Sequence, residues 1–302
     1  MMTKGAETAP LRRYTLHRIN MKNLLYYKTK RITVNTLIHI FLLTIAVSCM
    51  FPLLWMIGSS LKTQSTIFSD TSLFPRQPHW ENYIIAWQEG GFGRYFINSI
   101  FYTFAVVTGI IVVSSLAAYA FSRFQFPGKN VIFYTFMAAM MIPIPGSFVP
   151  LYVLLNKLHL RNTRLGYILC MINVGLSTSI FLFKTFFDKM PRELEDAARI
   201  DGCGKLGIWW NVALPLAKPV LAVVVVFNAL NVWNEYLLAL LIFDSRPLMP
   251  LQVALMTFQG EYITKYHLLM AGLTITAIPI ILVYILMQKY IVKGVTQGAV
   301  VG

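Results

Sequence analysis

Polar side chains interrupt the apolar stretch VVVVFNALNVWNEYLLALLI at Asn228, Asn231, Asn234 and Glu235. Asn228, Asn231 and Glu235 recur at i, i+3 and i+7, the spacing that gathers residues on one side of a helix, with Trp233 and Tyr236 beside them. Amides and a carboxylate exchange hydrogen bonds with hydroxyl groups, and flat aromatic rings stack on apolar faces. That is the chemistry of contacting a polar solute, so these residues are candidates for the wall of a water-filled path. The other reading is hydrogen bonding between helices, with Glu235 snorkelling toward the surface about 24 Å along from Pro219.

A second group lies in PRELEDAARIDGCGKLGIWWNVALPLAKP, residues 191–219, where charge concentrates between two apolar runs. Gly202, Gly204 and Gly207 satisfy G-x-G-x-x-G, but a helix-forming run precedes them where dinucleotide binding needs a strand, so the match is discounted. No G-x-x-x-x-G-K-[ST] occurs, and ATP hydrolysis by this chain is not expected. His17, His39, His79, His159 and His267 form no i, i+4 pair, and Cys49, Cys170 and Cys203 have neither metal-like nor disulfide-like spacing. No catalytic residue, metal or cofactor is therefore expected on the chain itself.

The elements that must position these groups are membrane helices. Of 302 residues, 57% are hydrophobic and 13% charged, against roughly a quarter charged in an average soluble domain. Six apolar runs, at about 34–60, 98–121, 131–155, 166–187, 219–243 and 267–291, are each long enough to cross about 30 Å of hydrocarbon as helix. The expected fold is an all-α membrane protein, with a basic leader over 1–33 and a six-helix domain over 34–302. No small-residue cleavage site precedes the first run, so it should stay as an anchor.

Eighteen of the 26 Lys and Arg residues fall in 1–33, 122–130, 184–218 and the tail after 288, and eight in the alternate loops. The positive-inside rule then places both termini and the 191–219 segment in the cytoplasm. The net charge of +14 is read as topology and attraction to anionic lipid, with no nucleic acid partner. Loop 61–98 carries the turn chemistry of FPRQPHWENY and is expected to fold as a cap on the outer face. Pro143, Pro145 and Pro150 in the third run, and Pro279 in the sixth, are kinks that serve either packing or a bend facing a translocation path.

Within 191–219, Pro191 suits a first turn, Glu193, Glu195 and Asp196 favour a helix N-terminus, and Gly202 suits the position just past a C-terminus. A helix of about ten residues follows, some 15 Å long. Its Leu194, Ala197, Ala198 and Asp201 fall on one side, where two alanines allow close approach. A second short helix holds Trp209 and Trp210 and stops at Pro215, making a knob below the membrane. Six charged residues in eleven over 191–201 suit a protein groove better than lipid.

Asp196-Ala197-Ala198, Gly202, Val212, Leu214 and Pro215 match in spacing the EAA loop of ABC importer permeases, with Asp196 for Glu and Val212 for Ile. SLFPRQPHWENYIIAW, YFINSIFYT, AAYAFSRFQFPGKN, NVWNEYLLALLI and KGVTQGAVVG extend the likeness over about 40–302. Together they resemble the carbohydrate-type permeases, in particular the shorter maltose-transporter subunit.

The resemblance implies a multi-pass subunit of a prokaryotic plasma (inner) membrane. Its EAA coupling helix, here Glu195, Asp196, Ala197, Ala198, Asp201, Gly202, Leu214 and Pro215, would seat in a cytoplasmic ABC ATPase dimer that carries ATP and Mg. A second, different permease would complete the pore, and an extracytoplasmic sugar-binding protein would deliver the solute. Asp196 is one methylene shorter than Glu, and Glu195 is the neighbour able to substitute for it. By the same resemblance, Gln297–Gly302 would reach the ATPase dimer. Candidate path residues are Asn228, Asn231, Trp233, Asn234 and Glu235. An ABC permease for a non-sugar solute, and a self-contained membrane enzyme or scaffold, are the alternatives.

Overall fold

A computed structural model of the chain describes residues 21–141, 144–260 and 263–299. Leader residues 1–20, Pro143 and the end of the tail lie outside them, as do the side chains of 21–27, 29, 144–145 and 289–299. Among the described residues the secondary structure is helical, apart from one antiparallel bridge between Gln259 and Thr264.

Helix α1, Met21–Ser60, is mostly apolar over Val34–Phe51, with Asn35 and His39 one turn apart, and its side chains there are exposed. An exposed helix this rich in apolar side chains is suited to lipid. The second unit of the chain begins at Met56. Its helices are α2 (Glu81–Glu89), α3 (Phe92–Arg123), α4 (Lys129–Ala139), α5 (Phe148–Lys157), α6 (Arg164–Lys189), α7 (Glu193–Ile200), α8 (Lys205–Leu216), α9 (Lys218–Asn234), α10 (Leu237–Ile242), α11 (Leu251–Ala254) and α12 (Tyr266–Ala299).

Four described helices, α1, α3, α6 and α12, are each long and apolar enough to cross a membrane. The bent pair α8 and α9, turning by 80°, makes a fifth candidate. The third expected span is not one helix. It is α4 and α5 separated by a 3-10 turn, Ile144–Ser147, and Pro150 supplies no N–H to the turn before it. The fifth is broken at Glu235.

Helices α3 and α6 make the main packing of the unit. They run parallel, because Arg164 at the start of α6 meets Asn98 near the start of α3, while Arg123 at the end of α3 meets Glu195 just past the end of α6. Tyr102, Tyr167 and Phe243 form an aromatic triad between them, with centroids 4.7 to 5.9 Å apart, and the Tyr102 hydroxyl donates to the Leu248 carbonyl at 2.7 Å. Helix α9 packs on α3, α6 and α12. A second core gathers Phe92, Trp233, Leu251, Phe258 and Leu268.

The 61–98 loop is folded, as its turn residues indicate. Lys62, 1% exposed, donates to the Asp70 and Ser72 carbonyls at 2.5 and 2.8 Å. Asn82 donates to the Ser60 and Lys62 carbonyls at 2.8 and 2.9 Å, satisfying acceptors at the helix end that have no partner within it. His79 and Glu81 pair at 2.5 Å, and this hydrogen bond holds the exposed Glu81 carboxyl below its ordinary range. A clip at the same end of α6 joins two loops. Asn162 Oδ1 accepts from the Asp244 and Ser245 amides at 3.1 and 3.0 Å, and its Nδ2 donates to the Ser245 hydroxyl at 3.0 Å.

Candidate functional site

The charged segment forms a knob of two short helices. Three acidic residues stand in the first turn of α7, where exposed N–H groups favour negative charge. The helix ends in a full Schellman motif: Cys203 N–H donates to the Ala198 carbonyl at 2.9 Å and Gly202 N–H to the Arg199 carbonyl at 3.1 Å. Gly202 has φ +84°, a left-handed conformation that a side chain opposes, and nothing lies within 4 Å of where a Cβ would sit. Its role is therefore conformational: it turns the chain sharply into α8, which contains a π turn at Trp209–Ala213.

One buried ion pair sets the rotation of α7. Arg123 Nε donates to Glu195 Oε1 at 2.5 Å and Arg123 Nη2 to the Met190 carbonyl at 2.7 Å. The two side chains are 7% and 5% exposed. Lys205 Nζ lies 4.9 Å from the centre of the Phe124 ring and ties α8 to the turn after α3. With Glu195 turned inward, Ala198 is buried beside it, while Leu194, Asp196, Ala197, Ile200 and Asp201 are exposed.

The expected pairing of Ala197 with Ala198 on one side is thus divided, because adjacent residues stand about 100° apart on a helix and the ion pair claims one of them. Glu195 does not replace Asp196 on the outer face. Asp196 instead pairs with Arg199 at 2.6 Å in the open. Ile200, Leu206 and Trp210 extend the exposed surface over α8, whereas Trp209 is buried and Leu214 half-buried beside exposed Pro215. The signal missed in the sequence was Arg123, a lone cation closing an apolar helix.

The polar residues of the fifth apolar run divide by task. Asn228 is buried, its Nδ2 donating to Ser179 Oγ at 3.1 Å and to the Val224 carbonyl at 2.8 Å. Gly175 of α6 makes room for it, since a Cβ there would stand 2.1 Å from Asn228 Oδ1. Trp233 is buried and donates to the Thr276 carbonyl at 3.1 Å. Glu235 sits where α9 stops and caps α10, accepting from the Leu238 and Ala239 amides at 2.7 and 3.1 Å. Asn234 and Asn231 are exposed; Asn234 donates to the Leu230 carbonyl at 2.9 Å and accepts from Gln252 at 3.3 Å. Unwound backbone at membrane depth is tolerated where protein satisfies it or water reaches it, and the Glu235 cap supplies the first condition. No cluster of three potential metal-binding side chains occurs among the described residues.

Residues 109–297 match the family described as binding-protein-dependent transport system inner membrane component. The chain is similar to the probable ABC transporter permease protein YurM of Bacillus subtilis, 35% identical over 88% of this chain and 89% of that protein. It is also similar to the diacetylchitobiose uptake system permease protein NgcG of Streptomyces coelicolor, 32% identical over 86% and 87% of the two chains. Its fold resembles that of a chain in the crystal structure of a bacterial ABC transporter involved in the import of the acidic polysaccharide alginate, with a TM-score of 0.77, 24% identity, and coverage of 87% of this chain and 98% of that one.

Proposed function

The chain belongs to the binding-protein-dependent transport system inner membrane components, the permeases of bacterial ABC transporters, and from that premise we propose that it is one of two different permease subunits of a carbohydrate importer. It would form half of the translocation path for a sugar or oligosaccharide, the class of solute named for NgcG. A separate ATPase dimer would bind and hydrolyse ATP with Mg, and an extracytoplasmic binding protein would deliver the sugar.

In this reading the broken pairs α4–α5 and α9–α10 are the third and fifth of six spans. Both termini and the knob face the cytoplasm, as the distribution of Lys and Arg supports. The tail from Gln297 to Gly302 would approach the ATPase.

The observation that carries the reading is the knob. Its inner face is bolted to α3 through Arg123 and Glu195, and its outer face offers Asp196, Ala197, Ile200, Asp201, Leu206 and Trp210 to a partner. A rigid element exposing acidic groups beside large apolar side chains can transmit a push from a cleft in another protein to the helices it is bolted to. ATP-driven closure of the ATPase would then tilt α3 and α6 with the knob and swing the path from one side to the other.

The test is to tag the chain, solubilise native membranes gently and identify what co-purifies with wild type and with Gly202→Pro. A P-loop ATPase and a second permease should accompany wild type, with the ATPase lost from the variant. Recovery of the chain alone in several mild detergents would refute the reading.

A further inference from the structure

The middle of α6 carries polar side chains that no other part of the described protein uses. Asn173, Ser177 and Thr178 make no hydrogen bond among the described residues, although α6 is an apolar helix of 26 residues, about 39 Å at 1.5 Å per residue. Asn173 and Thr178 lie about 14 and 21 Å from its first residue, in the central part of the span. Unpaired amides and hydroxyls at that depth are costly in hydrocarbon, so they belong against a wet or polar-filled space.

Such a space is present. Cys170, Asn173, Ser177 and Thr178 share one side of α6 and line an open cavity of about 510 Å³ bounded by α4, α5 and Leu238 of α10, with Asn173 and Thr178 exposed. Its opposite wall includes Leu151 and Leu154, with Pro150 in the first turn of α5. A second cavity of similar size, about 490 Å³ between α3, α9 and α12, provides the contrast: Phe96, Phe104, Val107, Val225 and Trp233 make it almost wholly apolar. Volume does not separate the two, since both fall in the range of small-molecule sites. Lining chemistry does.

We propose that the cavity between α4, α5 and α6 is a sugar subsite of the translocation path, in which Asn173, Ser177 and Thr178 exchange hydrogen bonds with sugar hydroxyls while Leu151, Leu154 and Leu238 pack on the apolar face of a ring. This rests on the importer reading and names where in this chain the solute is touched. It also accounts for the two broken spans lying beside the cavity, because interrupted helices leave backbone polar groups that a water-filled path satisfies. Asn228 and Asn234 of α9 are consumed by structure, whereas Asn173, Ser177 and Thr178 of α6 make no such bond.

The test uses the importer complex recovered with its partners, on a background in which Cys49, Cys170 and Cys203 are replaced by Ser. Asn173→Cys and Thr178→Cys are compared with Phe104→Cys, which sits on the apolar cavity wall, for reaction with a sulfonated methanethiosulfonate. Both the charged reagent and the reactive thiolate require water, so the two α6 variants should label about tenfold faster or more than Phe104→Cys. Maltotriose, diacetylchitobiose and raffinose are then added with the co-purified binding protein, and at least one should slow labelling by a similar factor.

Labelling as slow as at Phe104→Cys would overturn the aqueous cavity, and fast labelling that no saccharide slows would overturn the sugar contact. Loss of the ATPase from the wild-type purification is seen before any labelling and would overturn the importer reading itself, so the two failures are distinguishable. Ser177→Ala and Thr178→Val, which preserve shape, should together lower uptake while leaving ATPase recovery unchanged.

Discussion

Replacing Glu195 by Ala strands the Arg123 guanidinium in a site where both side chains are nearly inaccessible to water. Breaking a buried pair from one side costs about 3–5 kcal/mol, mostly the penalty of the charge left behind. Arg123 keeps the Met190 carbonyl at 2.7 Å, which argues for the low end, near 3 kcal/mol. At about 1.4 kcal/mol per factor of ten, that is a rise on the order of a hundredfold in the opening of the knob.

Asp196→Ala is the control, because its pair with Arg199 is three residues apart and both side chains are more than half exposed. Such pairs contribute about 0.5 kcal/mol or less. Amide hydrogen exchange over 191–217, in the chain purified in mild detergent without partners, reads both. Glu195→Ala should accelerate exchange across α7 and α8 strongly and Asp196→Ala by less than about threefold. A cycle with Arg123→Ala should show the two losses to be one interaction. Exchange in Glu195→Ala close to wild type, or equal acceleration in Asp196→Ala, would refute the claim that the inward pair bolts the knob.

Gly202→Ala should cost about 1–2 kcal/mol through its left-handed backbone alone. Gly202→Pro also loses the N–H to Arg199, so ATPase recovery per chain should fall from Ala to Val to Pro. Asn228→Ala leaves Ser179 without its partner and should lower stability in detergent by about 1–2 kcal/mol with sugar preference unchanged. Asn231→Ala, at an exposed position, should stay within about 0.5 kcal/mol; the paired melting curves decide it. Asn162→Gly retains the left-handed backbone but not the clip, so exchange at Asp244 and Ser245 should accelerate in it nearly as much as in Asn162→Ala.

Much of the architecture could be read from the chain alone, because it depends on local and one-dimensional quantities. Runs of apolar residues located α3 and α6 to within several residues, whereas α1 and α12 continue as helix past the apolar stretch, back to Met21 and on to Ala299, and caps such as Gly202 act on their own neighbours. The two short helices between 193 and 216 followed in the same way, from charge confined to one short segment between apolar runs. Pro143, Pro145 and Pro150 marked the third run as kinked, since a missing N–H is a property of one residue.

The tertiary structure alone decided which polar groups are spent on the fold and which remain free. Spacing placed Asn228 and Glu235 on one side of a helix, yet Asn228 turns to Ser179 across the gap left by Gly175, and Glu235 closes the end of α10. Nothing in the order of residues distinguishes these from Asn173 and Thr178, whose side chains line a cavity. Glu195 and Asp196 are likewise neighbours with the same charge, and one is buried only because Arg123, 72 positions away, is carried to it by the parallel packing of α3 and α6. A side chain's type sets what it can bond; its partner is set by long-range packing, which no local pattern encodes.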